Sequence, residues 1–183
     1  MSESTRCDDD TVFIDCNEAD HAGAILDILN DTIVNSTALY DYVPRPPGAM
    51  SRWFDVKRPN GFPVIGAVDS AGTLMGFASW GTFRAFPAYK YHRRAQRVCA
   101  SRVSRPGFGR TPHAQDRRTR TQAQVHVLVG CIDATNVASI DLHTKLGFTH
   151  SSTVTQAGFK FGRWLDAAFY QLTLKTPAHP IDG

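Results

Sequence analysis

The chain has 183 residues, 42% of them hydrophobic and 20% charged, with a formal net charge of +3. That length suits one domain with a substantial core, and the charge fraction is that of an ordinary globular protein, which argues against a disordered or low-complexity chain. No apolar run approaches membrane-spanning length, and the start "MSESTRCDDD" lacks the basic-then-apolar layout of a secretory signal.

In chain order, "TVFIDC" (11–16) reads as a first strand after a polar start. A helix is expected over 17–34, capped by Asn17 or Asp20, with Ile25, Ile28, Leu29 and Ile33 on one face. The prolines of "NSTALYDYVPRPPG" exclude helix, and a short helix follows around "AMSRWFDVKR". "FPVIGAVDSAGTLMGFASWGTF" reads as an antiparallel hairpin around "DSAG". "QVHVLVGCID" (124–133) is nearly continuous apolar sequence, the pattern of a central strand. "NVASIDLHTKLGF" is a helix with Ala138, Leu142 and Leu146 inward, stopped at Gly147, and a last hairpin ends near residue 174. The boundaries drawn are a polar tail over 1–11, one domain over 12–174 and a C-terminal tail over 175–183. Cys7, Cys16, Cys99 and Cys131 are widely spaced, as expected of reduced cytoplasmic thiols rather than of a disulfide framework or a zinc site.

Residues 92–120 break this pattern. They hold nine of the fifteen arginines and a single acid, Asp116, while the remainder of the chain is net acidic. Read residue by residue, the segment has no apolar periodicity for a strand or helix. Yet strands before and after it need a connection with core-facing residues of its own. A basic arm for nucleic acid is one reading, although interleaved aromatic residues for stacking on bases are missing.

Three stretches carry a resemblance: "FASWGTFRAFPAYKY", "VHVLVGCIDATNVASIDLHTKLGF" and "QAGFKFGRWLDAAFYQL". Together they resemble the phosphinothricin N-acetyltransferases and their relatives that acetylate methionine sulfone or sulfoximine, in the GNAT superfamily of acetyl-CoA-dependent N-acetyltransferases. The likeness covers about residues 12 to 174 outside the Arg-rich segment. It implies an α/β (α+β) GNAT fold, a mixed central β-sheet flanked by helices on both faces.

The resemblance also implies what the segment should hold: a strand beginning Thr-Val-Glu, a pyrophosphate loop Arg-Gly-x-Gly-x-Gly, and an amphipathic helix. The sequence has "SRPGFGR" instead, where Ser104, Arg105, Pro106, Gly107, Phe108 and Gly109 occupy the loop positions. Glycines let backbone N–H groups approach phosphate at a helix start, and Pro106 removes one such donor. The genetic code offers a resolution. Read one base later, permitted codons for positions 92 to 109 spell Thr-Val-Glu-His-Ser-Val-Tyr-Val-His-Pro-Glu-Tyr-Arg-Gly-Gln-Gly-Leu-Gly. An amphipathic stretch follows to position 120. The segment is expected to be out of frame.

The resemblance assigns roles to further residues. Arg94 stands where the family has the glutamate taken as general base, and a guanidinium accepts no proton at neutral pH. His143 matches a helix histidine that assists or is merely structural. Asn136 matches a cofactor-contacting asparagine and is equally an N-cap. Thr82, Phe83, Arg84 and Tyr89 match the substrate loop, with Arg84 pairing a carboxylate or phosphinate unless it is a plain surface charge. Lys160, Arg163 and Trp164 look like pocket-rim or dimer residues, or an ordinary hairpin. The implied partners are acetyl-CoA and a small amino-acid-like amine in a homodimer, with no metal, membrane or nucleic acid. An inactive family member is the remaining alternative.

Overall fold

The computed structural model describes residues 11–100 and 124–182. Strand β1 (Val12–Asp15) leads into helix α1 (Glu18–Asn35), whose first turn is capped by Asn17: its Oδ1 accepts from the Asp20 N–H at 2.8 Å. A loop containing Pro44, Pro46 and Pro47 separates α1 from α2 (Ala49–Lys57). Strands β2 (Val64–Val68) and β3 (Leu74–Thr82) form the expected hairpin. Asp69 organises its turn, accepting from the Ala71 and Thr73 N–H groups. A single 3-10 turn, Pro87–Tyr89, precedes β4 (His92–Cys99). The remaining elements are β5 (Val127–Asp133), α3 (Val137–Lys145), β6 (Thr149–Lys160) and β7 (Arg163–Thr173).

The seven strands make one mixed sheet in the order β1-β2-β3-β4-β5-β7-β6. Every pairing is antiparallel except β4 with β5. Strand alternation separates two cores. Phe77 and Val98 face α1 and α2 and pack with Ile25, Leu29, Ile33 and Phe54. Trp80 and Leu128 face the other side and pack with Phe62, Val125 and Phe148. Helix α3 lies over this second side and ends at Gly147, whose φ of +87° is the left-handed conformation that glycine adopts without strain.

One expectation needs correction. Ala138 is exposed, not inward, and α3 buries no residue fully; Leu142 and Leu146 are half-buried. The first turn of α3 begins four residues after the end of β5. Residues 92–99 form the strand that the resemblance implies there, despite lacking apolar alternation. The paired edge of β3 supplies backbone hydrogen bonds along all of it, from Thr82↔Arg93 to Gly76↔Cys99, and tertiary pairing overrides side-chain pattern.

The C-terminal residues are strapped to the sheet. Thr176 donates its hydroxyl to the Val125 carbonyl at 2.5 Å, and His126 Nδ1 donates to the Thr176 carbonyl at 2.8 Å. Tyr91 bonds Ile181 through both its carbonyl and its N–H. This strap ties down the start of β5, where it runs beside β4.

Candidate active site

The parallel pair β4 and β5 stays in register for only three residues: His92↔Val127, Arg93↔Leu128 and Arg94↔Val129. Beyond Arg94, β4 remains paired to β3 through Cys99, and β5 remains paired to β7 through Asp133. The two strands therefore part, leaving backbone donors and acceptors of both facing an opening in the middle of the sheet.

Residue 94 marks the fork. Arg94 is exposed and points to the α1–α2 side, where its charge reaches Cys131 of β5. Burial raises the Cys131 thiol pKa, and Arg94 pulls against that rise. On the same face and nearer the end of β5 sits Asp133, only 2% exposed. It accepts from the Thr37 hydroxyl at 2.6 Å, the Arg163 guanidinium at 2.8 Å, and the Thr135 N–H and hydroxyl at 3.0 and 2.9 Å. Burial alone would raise its pKa, but these bonds outweigh burial and bring it down to about 2. Tyr40 lies beside this cluster: burial raises its pKa, and the charges of Cys131 and Asp133 add to the rise.

The opposite face carries His143. Its ring stacks edge-on against Phe148, with centroids 5.1 Å apart, and covers Gly130, where a methyl group would stand 2.9 Å from Nε2. Nδ1 donates to the Ser139 carbonyl at 2.8 Å, so Nε2 carries the lone pair. Burial lowers its pKa; the Ser139 bond opposes this and the Arg97 charge adds to it. The imidazole is neutral and borders a small pocket with Ala95, Trp80, Leu128 and Leu146. His143 and Arg94 thus stand on opposite faces of the sheet, and the buried, hydrogen-bonded ring of His143 suits the structural role that its sequence position also allows. Cβ directions in a strand alternate, so the neighbours Gly130 and Cys131 offer different faces to them.

The substrate-loop residues do converge. Phe83 and Tyr89 meet edge-to-face at 5.6 Å, and His92 joins both rings at 6.2 and 5.8 Å. Arg84 is exposed, its guanidinium 5.9 Å from the Phe83 ring and without a hydrogen bond or ion pair among the described residues. Thr82 ends β3 opposite Arg93. Asn136 caps α3, accepting from the Ser139 N–H at 3.0 Å. Ser104, Arg105, Pro106, Gly107, Phe108 and Gly109 lie outside the described residues.

Lys160 is buried rather than at a rim, while Arg163 is exposed on the hairpin. Lys160 is 4% exposed and donates to three backbone carbonyls. Arg163 pairs with Asp133. Trp164 is 58% exposed. The Thr37–Asp133–Arg163 cluster was missed from sequence, because its members lie far apart along the chain and Asp133 looks like an ordinary strand-end acid. Among the described residues no group of three or more His, Cys, Asp or Glu is placed to hold a metal ion.

No protein-family model matches the chain. It is 39% identical over 168 residues to the L-methionine sulfoximine/L-methionine sulfone acetyltransferase of Pseudomonas aeruginosa, spanning 87% of this chain and 92% of that protein. It is 29% identical over 159 residues to the phosphinothricin N-acetyltransferase of Streptomyces viridochromogenes, spanning 86% and 85%. A putative acetyltransferase from Acinetobacter baylyi superposes with a TM-score of 0.88 at 58% identity, covering 94% of this chain and 97% of the other. A GNAT phosphinothricin acetyltransferase from Sinorhizobium meliloti, solved with acetyl-CoA, gives 0.86 at 27% identity, covering 93% and 92%. With the fork between β4 and β5, these likenesses make the chain a member of the GNAT N-acetyltransferases of the methionine sulfoximine/sulfone and phosphinothricin group.

Proposed function

We propose that this fold transfers acetyl from acetyl-CoA to the α-amine of a small amino-acid analogue such as methionine sulfone, methionine sulfoximine or phosphinothricin. The observation carrying the reading is the parting of β4 and β5 directly after residue 94. The thioester would lie in that opening with its carbonyl oxygen on strand N–H groups, which also stabilise the oxyanion formed on attack. The amine nitrogen attacks the thioester carbon and expels the CoA thiolate, in a ternary complex with no covalent enzyme intermediate. Arg84 would pair the substrate's acidic group beside Phe83 and Tyr89. Before attack the ammonium must lose a proton, and the family's glutamate position is the base.

Arg94 cannot serve as that base, and we propose that residues 92–120 belong in the shifted frame. The burial of β4 supports this. Arg93 and Arg97 face the side of Trp80 and Leu128, and burial lowers the pKa of both guanidinium groups. Arg93 Nε and His92 Nδ1 are buried without a hydrogen-bond partner among the described residues, although Arg93 Nη1 donates to the Lys90 and His92 carbonyls. Such groups cost free energy in an interior. The shifted frame puts valine at 93, 97 and 99, on that buried face, and glutamate at 94. The same frame restores Arg-Gly-Gln-Gly-Leu-Gly at the phosphate loop.

The family reading extends to a cytoplasmic homodimer. Val154, Phe159, Phe161 and Trp164 expose apolar surface on the edge hairpin β6–β7, a face suited to a second copy. The test compares the chain as it stands with one carrying the shifted residues throughout 92–120. The first should show no acetyltransferase activity and lower solubility, and the second should acetylate methionine sulfone or phosphinothricin. Full activity from the chain as it stands would refute the base assignment at position 94. Intact mass and tryptic peptides of protein from its native cell decide the frame directly.

A further inference from the structure

We infer that Lys160 is a positioning residue for the amine side of the site, locking the segment after α1 onto the tip of the β6–β7 hairpin. The inference rests on the acetyltransferase reading only in taking the Arg94–Cys131 face as the amine's.

Lys160 is the last residue of β6, and its ammonium sits at the carboxyl end of α1. Nζ donates to the carbonyls of Ile33 at 2.7 Å, Ser36 at 2.9 Å and Leu39 at 2.6 Å. All three N–H donors of the ammonium are thereby used, and every acceptor is neutral backbone. The cation complements the negative end of the helix dipole, and among the described residues no carboxylate is hydrogen-bonded to it, although the Asp41 charge acts on it. Burial lowers the Lys160 pKa and the Asp41 charge opposes that, while the ammonium satisfies carbonyls that the end of α1 leaves without helical donors. What the cation supplies is directional: it gathers the carbonyls of the last turn of α1, its C-cap and the bend that follows, at 33, 36 and 39, around one point.

That backbone carries residues of the site. Thr37 reaches Asp133 at the end of β5, and Tyr40 stands beside Cys131 and Asp133, on the face to which residue 94 points. Two further contacts tie the same segment to the same hairpin. Tyr42 donates its hydroxyl to the Phe159 carbonyl at 2.7 Å. The Tyr40 ring packs over Gly158, where a methyl group would stand 3.2 Å from the ring carbons. Gly158, Phe159 and Lys160 together seat residues 39–42 as a wall over the end of β5. Displacing that wall should weaken amine binding and leave acetyl-CoA, held in the β4–β5 fork, unaffected.

The test uses Lys160→Met and Gly158→Ala in the chain with residues 92–120 in the shifted frame. The second variant pushes on Tyr40 while leaving the ammonium and its carbonyls untouched, so it reports even if the first folds poorly. Both should raise KM for methionine sulfone roughly tenfold or more, with KM for acetyl-CoA and kcat changed less than about threefold. Hydrogen exchange on the chain as it stands gives an arm that needs no activity. There Lys160→Met should speed exchange in peptides covering 33–42 and leave those covering 127–133 unchanged. An unchanged amine KM, or equal changes in both KM values and kcat, would overturn the positioning role, as would unchanged exchange at 33–42. An inactive parent counts against the acetyltransferase reading and is recognised before any variant is made.

Discussion

Arg94 and His143 approach neighbouring residues of β5 from opposite faces of the sheet. Arg94 acts on Cys131 from the α1–α2 side, and His143 covers Gly130 from the α3 side. One residue along a strand reverses the side chain's direction, so the two groups stand on opposite faces beside the point where β4 and β5 part. An amine on the first face lies on the side of position 94.

His143 should therefore not be the base. In the chain with the shifted segment, His143→Gln should lower kcat by less than about tenfold, below the roughly 10²–10⁴ share of general-base catalysis, while replacing the glutamate at 94 by glutamine should cost that full share. The acidic limb of the kcat/KM profile should survive the first change and vanish with the second. Loss of that limb in the His143 variant would reverse the two roles.

Arg84 makes no ion pair among the described residues and is free to meet a substrate anion. Arg84→Ala in the active chain should raise the amine KM with a smaller effect on acetyl-CoA. Loss of one charge-assisted bond is worth about 1.5–3 kcal/mol. Initial-rate kinetics with each substrate varied in turn measure both constants, and an unchanged amine KM would make Arg84 a surface charge.

Asp133 has a folded pKa of about 2 against an ordinary 3.8, so the folded chain releases its proton more readily than the unfolded one. Its contribution, about 2 kcal/mol, is fully present above the unfolded value and is lost as pH falls through the folded one. Urea unfolding between pH 2 and pH 6 should show that loss. Asp133→Asn should be less stable at pH 6, and its disadvantage should shrink toward pH 2.

Lys57 is 7% exposed and donates to the Ser79 hydroxyl and the Trp80 carbonyl, both at 2.7 Å, with the Trp53 ring 4.7 Å from Nζ. Burial lowers its pKa from 10.5 to about 8. Between those values the unfolded chain binds more protons than the folded one, so stability should rise with pH by about 3 kcal/mol across the window. Below the folded value both forms are protonated and the slope vanishes. Lys57→Met should flatten the rise, as followed by denaturant unfolding at pH 7 to 10.

Much of the fold was legible in local chemistry. Asn17 and Asn136 cap their helices, Gly147 ends α3, and Asp69 to Gly72 turn the β2–β3 hairpin, because each acts on backbone within a few residues of itself. The aromatic pair Phe83 and Tyr89 was likewise readable, since a short loop brings the two rings together. Strand β4 was not legible from its own pattern. Its hydrogen bonds come from β3, and pairing across space does not need alternating side chains.

The sequence by itself determined the helices, the hairpins and the family, because capping, periodicity and short motifs are properties of neighbouring residues. It also marked residues 92–120 as an Arg-rich stretch in an otherwise acidic chain, since charge needs no coordinates. Only the tertiary structure decided which residues share a face. It joined Thr37, Asp133 and Arg163 across ninety-six and thirty positions of chain, and it turned Lys160 from an apparent rim residue into the buried anchor of α1. It also parted Arg94 from His143, because facing is set by where a strand pairs and which way its next residue points, and neither is written in a residue's own neighbourhood.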